Sequence, residues 1–231
     1  MAGMQLLDTI ETDTGPNPTA TIIFLHGLGD SGHGFAPFAH ELDLSAAGPV
    51  RFIFPHAPTR PVTINGGYVM RAWYDILGAD LVRREDETGL RESQALVQAL
   101  IARENERGIP SSRIVLGGFS QGCAMTLLTG LRHGERLAGL VGLSGYLPLA
   151  ARTAAERHGA NHGVPIFLAH GRQDPVIPIA RALASRDALL AFEHPVEWHE
   201  YPMPHSVCGP EVEHLTRWLT TLLGDPPGQG E

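Results

Sequence analysis

Arg113-Ile114-Val115-Leu116-Gly117-Gly118-Phe119-Ser120-Gln121-Gly122-Cys123-Ala124-Met125 is the stretch whose reading decides the fold. It begins as a short apolar run and passes across a glycine-flanked serine into a helical pattern, Gln121 to Arg132. Short apolar runs bounded by turn signals suit strands buried in a parallel sheet. Gly118-Phe119-Ser120-Gln121-Gly122 fits the pattern G-x-S-x-G, in which a serine stands on a sharp strand-to-helix turn. Five residues alone prove little in a chain with 27 glycines. The strand before and the helix after give the pattern its weight. Gly118 and Gly122 supply the small neighbours such a turn needs, and the helix dipole favours negative charge developing beside Ser120.

Working outward, similar apolar runs occur at Ala20–Leu25, Val50–Phe54, Arg113–Gly117, Leu137–Leu143 and Pro165–Ala169. A more polar one, Val196–Tyr201, suits a sheet edge. Helical patterns at Leu90–Arg107, Gln121–Arg132, Pro178–Phe192 and Pro210–Leu223 alternate with them. Strand and helix in alternation predict an α/β fold, a mostly parallel sheet with helices on both faces. No repeat or linker divides the chain, so residues 1–231 read as one domain. Residues 55–87, rich in Pro and Gly with a β-like piece at Val62-Thr63-Ile64, break the alternation. They follow a strand and so project from the carboxyl edge of the sheet, where α/β folds bind ligands; they are expected to be an active-site insertion. Residues 224–231 read as a frayed tail.

The bulk properties narrow the function. The chain has 231 residues, 43% of them hydrophobic, and a mean hydropathy of -0.04, enough for a substantial core. Twenty-five acidic against 17 basic residues give a net charge of -8. That sign repels phosphate backbones, so no nucleic acid partner is expected. Met1 to Thr14 lacks the pattern of a secretory signal, and no apolar run approaches the ~20 residues of a membrane span. Two cysteines make no disulfide framework. A cytoplasmic enzyme without stable membrane insertion is expected.

A serine hydroxyl needs a base to take its proton and a third group to hold that base. In this arrangement the acid and then the histidine follow the serine along the chain. Asp174 comes directly after an apolar strand, and His205 follows the last one, so both lie at the carboxyl edge. Asp187 sits within a helical pattern and is the weaker acid. Among the 12 histidines, His199 falls inside a strand, His214 inside a helix, and His170 beside the Asp174 loop as a supporting residue. The oxyanion is expected to meet the backbone N–H of Gln121, after the nucleophile, and of Leu28, in the glycine-flanked turn His26-Gly27-Leu28-Gly29. No H-E-x-x-H or paired Cys motif calls for a metal.

The chain resembles the carboxylesterase and acyl-protein thioesterase family of α/β hydrolases. The resemblance runs from about Thr21 to Leu222 and rests on several motifs in order. These are Leu25-His26-Gly27-Leu28-Gly29-Asp30, Pro55-His56-Ala57-Pro58, Ala72-Trp73-Tyr74-Asp75, the Ser120 pentapeptide, His170-Gly171 with Asp174, and Tyr201-Pro202-Met203 with His205. The segment Pro58 to Tyr68 most resembles the bacterial carboxylesterase branch. The resemblance implies an α/β-hydrolase fold, a Ser120–Asp174–His205 triad, Leu28 and Gln121 amides as oxyanion hole, no cofactor, and carboxylic esters, lysophospholipids or acyl thioesters as substrates. It also implies a place for Trp73 along the acyl groove, although residue chemistry alone favours the core for Trp73. It favours a homodimer.

Two positions depart from the family pattern. Cys123 stands where glycine is usual, threatening to press on the neighbouring strand or narrow the pocket, and Pro204 precedes His205 where glycine is usual. Cys123 lies three residues after Ser120 and Cys208 three after His205; two isolated buried thiols are the expected reading, with the alternative that the thiols approach one another. The expected activity is hydrolysis of short- to medium-chain carboxylic esters through an acyl-enzyme. The alternatives are an acyl-protein thioesterase or lysophospholipase, then an amidase or peptidase, and outside enzymology a non-catalytic binding protein.

Overall fold

All six expected apolar runs are strands, and all six run parallel in one sheet. The computed structural model describes residues 6–78 and 84–224. Its strands are β1 (Thr9–Asp13), β2 (Ala20–Leu25), β3 (Val50–Pro55), β4 (Thr59–Val62), β5 (Tyr68–Arg71), β6 (Ile114–Phe119), β7 (Gly139–Leu143), β8 (Ile166–Gly171) and β9 (Val196–Tyr201). Its helices are α1 (Gly32–Phe35), α2 (Phe38–Glu41), α3 (Glu87–Glu106), α4 (Gln121–Gly130), α5 (Ala150–Glu156), α6 (Ile179–Ala191) and α7 (Gly209–Leu223).

The large sheet has the order β1-β3-β2-β6-β7-β8-β9, with β1 antiparallel to β3. β6 is central. The chain leaves β2 toward β3 on one side and later returns to pair β6 on the other. This places a topological switch point between the carboxyl ends of β2 and β6, where open α/β sheets bind ligands. The loop after β2 carries Leu28, and the turn after β6 carries Ser120.

Side chains alternate across a strand with period two, and two cores result. Ile23, Leu25, Ile53 and Leu116 pack with Leu90, Val97 and Leu100 of α3 and with much of α4. Ile22, Phe24, Phe52, Phe54 and Val115 pack on the opposite face with Phe38 and with Val212, Leu215 and Leu219 of α7. β2, β7 and β8 are buried along their whole length. β9 is half exposed at the edge, in keeping with its polar sequence.

Several elements differ from the sequence reading. β1 was not foreseen, because Thr-Ile-Glu-Thr-Asp is the pattern of a half-exposed edge strand rather than an apolar run. α3 starts at Glu87 instead of Leu90, since Asp86 caps it by accepting from the Gly89 N–H at 3.0 Å. The β-like piece at 62–64 is displaced. Residues 59–62 pair with 68–71 as a hairpin, and Thr63–Asn65 form a 3-10 turn. The hairpin turns through Gly66 and Gly67, at φ 66° and 79°. α5 was also unforeseen. Among the described residues, no helix is long and apolar enough to cross a membrane. Of the expected tail, only Gly224 lies within the described residues.

Candidate active site

Ser120 adopts φ 57° and ψ -116° between β6 and α4, a conformation that costs a non-glycine residue about 1–3 kcal/mol. Its backbone N–H is tied to the Leu143 carbonyl at 2.9 Å. The flanking glycines are a steric requirement. A Cβ on Gly118 would overlap the Gly122 backbone, and one on Gly122 would overlap the Leu25 carbonyl. Cys123 is accommodated rather than intrusive, because it faces Gly142 and Gly145. A Cβ on Gly142 would come within 2.8 Å of its Sγ, and one on Gly145 would overlap it. Burial pushes the Cys123 thiol up to about 12, so it stays protonated.

The structure brings Ser120, His205 and Asp174 into one line. His205 Nε2 lies 2.9 Å from Ser120 Oγ, and His205 Nδ1 lies 2.6 Å from Asp174 Oδ2. The other oxygen of Asp174 accepts from the N–H groups of Val176 and Ile177, at 2.8 and 2.9 Å. Two amides on one oxygen and the imidazole on the other fix the Asp174 carboxyl group in direction. The imidazole packs on Phe119, with ring centroids 4.8 Å apart. The His205 loop crosses Gly171 so closely that a Cβ there would overlap the Met203 and Pro204 carbonyls. Arg172 and Gln173 donate to the Tyr201 and Met203 carbonyls across this crossing. His170 is buried beneath Asp174; its Nε2 lies 2.8 Å from the Ile177 carbonyl and 3.4 Å from Asp174 Oδ2. Desolvation lowers its pKa, so it is neutral, with the proton on Nε2.

Leu28, Ser120 and Gln121 meet at a cleft of about 320 Å³, which Ile64, Tyr74, Ile76, Tyr146, Val176 and Ile177 also line. The wall is largely apolar, with Asn65 and the Tyr74 and Tyr146 hydroxyls as its polar points beside Ser120 and Gln121; the two hydroxyls bond each other at 2.8 Å. Burial raises the pKa of both. Trp73 does not line this cleft. It is fully buried beneath it, and the groove-facing residue of that motif is its neighbour Tyr74.

The remaining candidates lie elsewhere. His199 and His214 stack on each other with centroids 4.3 Å apart, and Asp187 pairs with Arg186 on the surface. Both cysteines are free thiols. Cys123 belongs to one face of the sheet and Cys208 packs against the other, so their equal spacing from Ser120 and His205 does not bring them together. Among the described residues, no three His, Cys, Asp or Glu side chains gather to hold a metal.

The sequence reading missed how the backbone around Leu28 and Gln121 is held. The Gln121 side-chain oxygen accepts from the Trp73 N–H, and its amide nitrogen donates to the Tyr74 carbonyl, both at 2.8 Å. The Trp73 indole donates to the His26 carbonyl at 2.9 Å. His26 in turn accepts from the Ala57 N–H at Nε2, at 3.0 Å, and donates from Nδ1 to the Gly27 carbonyl at 2.7 Å. The only signal was the presence of polar-capable residues beside motifs already singled out.

Comparisons with known proteins agree on a family. Residues 9–223 match the Phospholipase/Carboxylesterase family model. Acyl-protein thioesterase 1 of Yarrowia lipolytica is 43% identical over 207 residues, covering 87% of this chain and 91% of the relative. The Neurospora crassa protein of that name is 44% identical over 214 residues, covering 89% and 87%. Among solved structures, Zea mays acyl-protein thioesterase 2 superposes with a TM-score of 0.79 at 31% identity, over 93% of this chain and 99% of that one. Arabidopsis thaliana SOBER1 superposes with a TM-score of 0.84 at 29% identity, over 88% and 99%.

Proposed function

The chain belongs to the phospholipase/carboxylesterase family of α/β hydrolases, and from that premise we propose that it hydrolyses acyl thioesters of the acyl-protein type through Ser120, His205 and Asp174. That it is a serine hydrolase of the carboxylesterase and thioesterase kind follows from the family. The unbroken line Ser120 Oγ–His205–Asp174, opening on an apolar cleft, carries the finer reading.

His205 Nε2 takes the Ser120 proton as Oγ attacks the acyl carbonyl, and Asp174 holds the imidazole and stabilises its positive charge. The carbonyl oxygen becomes an oxyanion facing the N–H groups of Leu28 and Gln121. Collapse expels the leaving group, which His205 protonates. Water, deprotonated by His205, then releases the carboxylic acid. The acyl chain lies along Ile64, Ile76, Val176 and Ile177, so affinity should grow with apolar area. The names of the fungal and plant relatives favour a thioester over the short- to medium-chain carboxylic ester as the natural substrate. The ester reading is the second choice, since the same groups serve both.

Ser120→Ala should remove turnover and fluorophosphonate labelling while melting stays unchanged; retained turnover would falsify the assignment. A series of acyl thioesters beside matched p-nitrophenyl esters should show kcat/KM rising with chain length. A collapse of thioester turnover beyond short chains, with the esters spared, would return the choice to a short-chain carboxylesterase.

A further inference from the structure

We infer that Trp73 and the side-chain amide of Gln121 are positioning residues that set the spacing between the two oxyanion donors, the N–H groups of Leu28 and Gln121. The inference rests on the serine mechanism proposed above. Those two donors come from different elements, the loop after β2 and the first turn of α4. Each can be well placed on its own and still be misplaced relative to the other.

The segment Arg71–Tyr74 touches both. Toward the loop after β2, the Arg71 carbonyl accepts from the Gly29 N–H at 2.8 Å, and the Trp73 indole donates to the His26 carbonyl at 2.9 Å. Leu28 therefore sits between two residues pinned by one short segment. Toward α4, the Gln121 side chain binds the Trp73 N–H and the Tyr74 carbonyl. Those two bonds fix which end of the amide is oxygen. The Trp73 carbonyl is also used, accepting from the Ser93 hydroxyl of α3. Trp73 and His26 are wholly buried, and Gln121 is 3% exposed, so no water competes for these bonds. The loop also passes against the elbow; a Cβ on Gly27 would lie 3.4 Å from the Ser120 Cβ. Glutamine suits this position because one planar group offers an acceptor and a donor to consecutive backbone groups.

An oxyanion hole stabilises charge that exists only in the transition state, so disturbing its spacing lowers kcat and leaves KM. Trp73→Phe keeps an aromatic ring and deletes the indole N–H. With p-nitrophenyl octanoate, kcat should fall about 10-fold with KM within about twofold, less than the loss of a whole donor. An octyl trifluoromethyl ketone, whose adduct with Ser120 carries an oxyanion, should lose affinity by the same factor as kcat/KM. Gln121→Met should show the same signature, and it carries the test alone if Trp73→Phe does not fold. The double variant should lose no more than the worse single one, since both break one clamp. The inference is overturned if kcat is unchanged, if the ketone binds as before while kcat falls, or if the two losses multiply. Its failure beside an inactive Ser120→Ala would leave the serine mechanism standing, whereas an active Ser120→Ala would sink the mechanism itself.

Discussion

The two flanks of Ser120 are held by different kinds of bond. On the acid–base flank, a carboxylate, an imidazole and a hydroxyl form a line of side chains, and backbone amides fix its far end at Asp174. On the flank proposed to hold the oxyanion, the groups assigned that work are backbone amides, and neutral side chains hold the backbone that carries them. In the proposed mechanism the acid–base flank moves a proton, so its chemistry dictates residue types. The other needs only fixed dipoles, so many residue types could serve. Function is written into side chains on one flank and into placement on the other.

Asp174→Asn is the sharpest way to break this comparison. An asparagine turns the imidazole toward the wrong tautomer, so kcat should drop about 10⁴-fold with folding kept. A loss under tenfold, measured on a p-nitrophenyl ester, would mean the acid–base flank does not depend on its carboxylate. Gly122→Ala strikes where the flanks meet, since its Cβ would overlap the Leu25 carbonyl. It should destabilise the chain by about 3 kcal/mol in urea unfolding, as overpacking against backbone does.

His26→Phe tests the oxyanion flank by leaving the Ala57 N–H without its buried partner, at a cost of about 1–3 kcal/mol. Burial depresses the His26 pKa below its ordinary 6.5. Its neutral state therefore contributes stability that is present above pH 6.5 and lost as pH falls toward the folded value. The variant should show a shallower acid-side decline in melting temperature than the parent; parallel curves would contradict the neutral assignment. Glu211 gives the opposite slope. It is buried at the start of α7, and desolvation raises its pKa to about 8. Its protonated form is the stable one below pH 4.5, and that stability drains away as pH rises through about 8. Glu211→Gln should flatten the decline between pH 4.5 and about 8, read as melting temperature against pH for the variant and the parent; parallel curves would contradict the raised pKa.

The contrast between flanks also explains what could be read from residues alone. The six parallel strands announced themselves because burial on both faces demands apolar runs, whereas β1 was hidden by its half-exposed alternation. Ser120, Asp174 and His205 could be singled out because the proposed chemistry needs one residue type at each strand end, and the structure brings the three side chains together. The bonds from Gln121 to Trp73 and Tyr74 span 48 and 47 residues and leave no local periodicity. Trp73 was accordingly placed along the groove when its indole is turned into the core. The segment 62–64 misled because its β-branched residues suggest a strand, while glycines 66 and 67 decide where the hairpin turns.

Because the Sγ of Cys123 fills the space above Gly142, the two positions are not independent in descent. A side chain at 142 is excluded while cysteine occupies 123, for its Cβ would come within 2.8 Å of the sulfur. Shrinking residue 123 to glycine, by contrast, demands nothing of 142 beforehand. Change here therefore has a direction: position 123 must give way, and Leu168, whose Cδ2 would lie 2.7 Å from the new Cβ, must shift, before position 142 can grow.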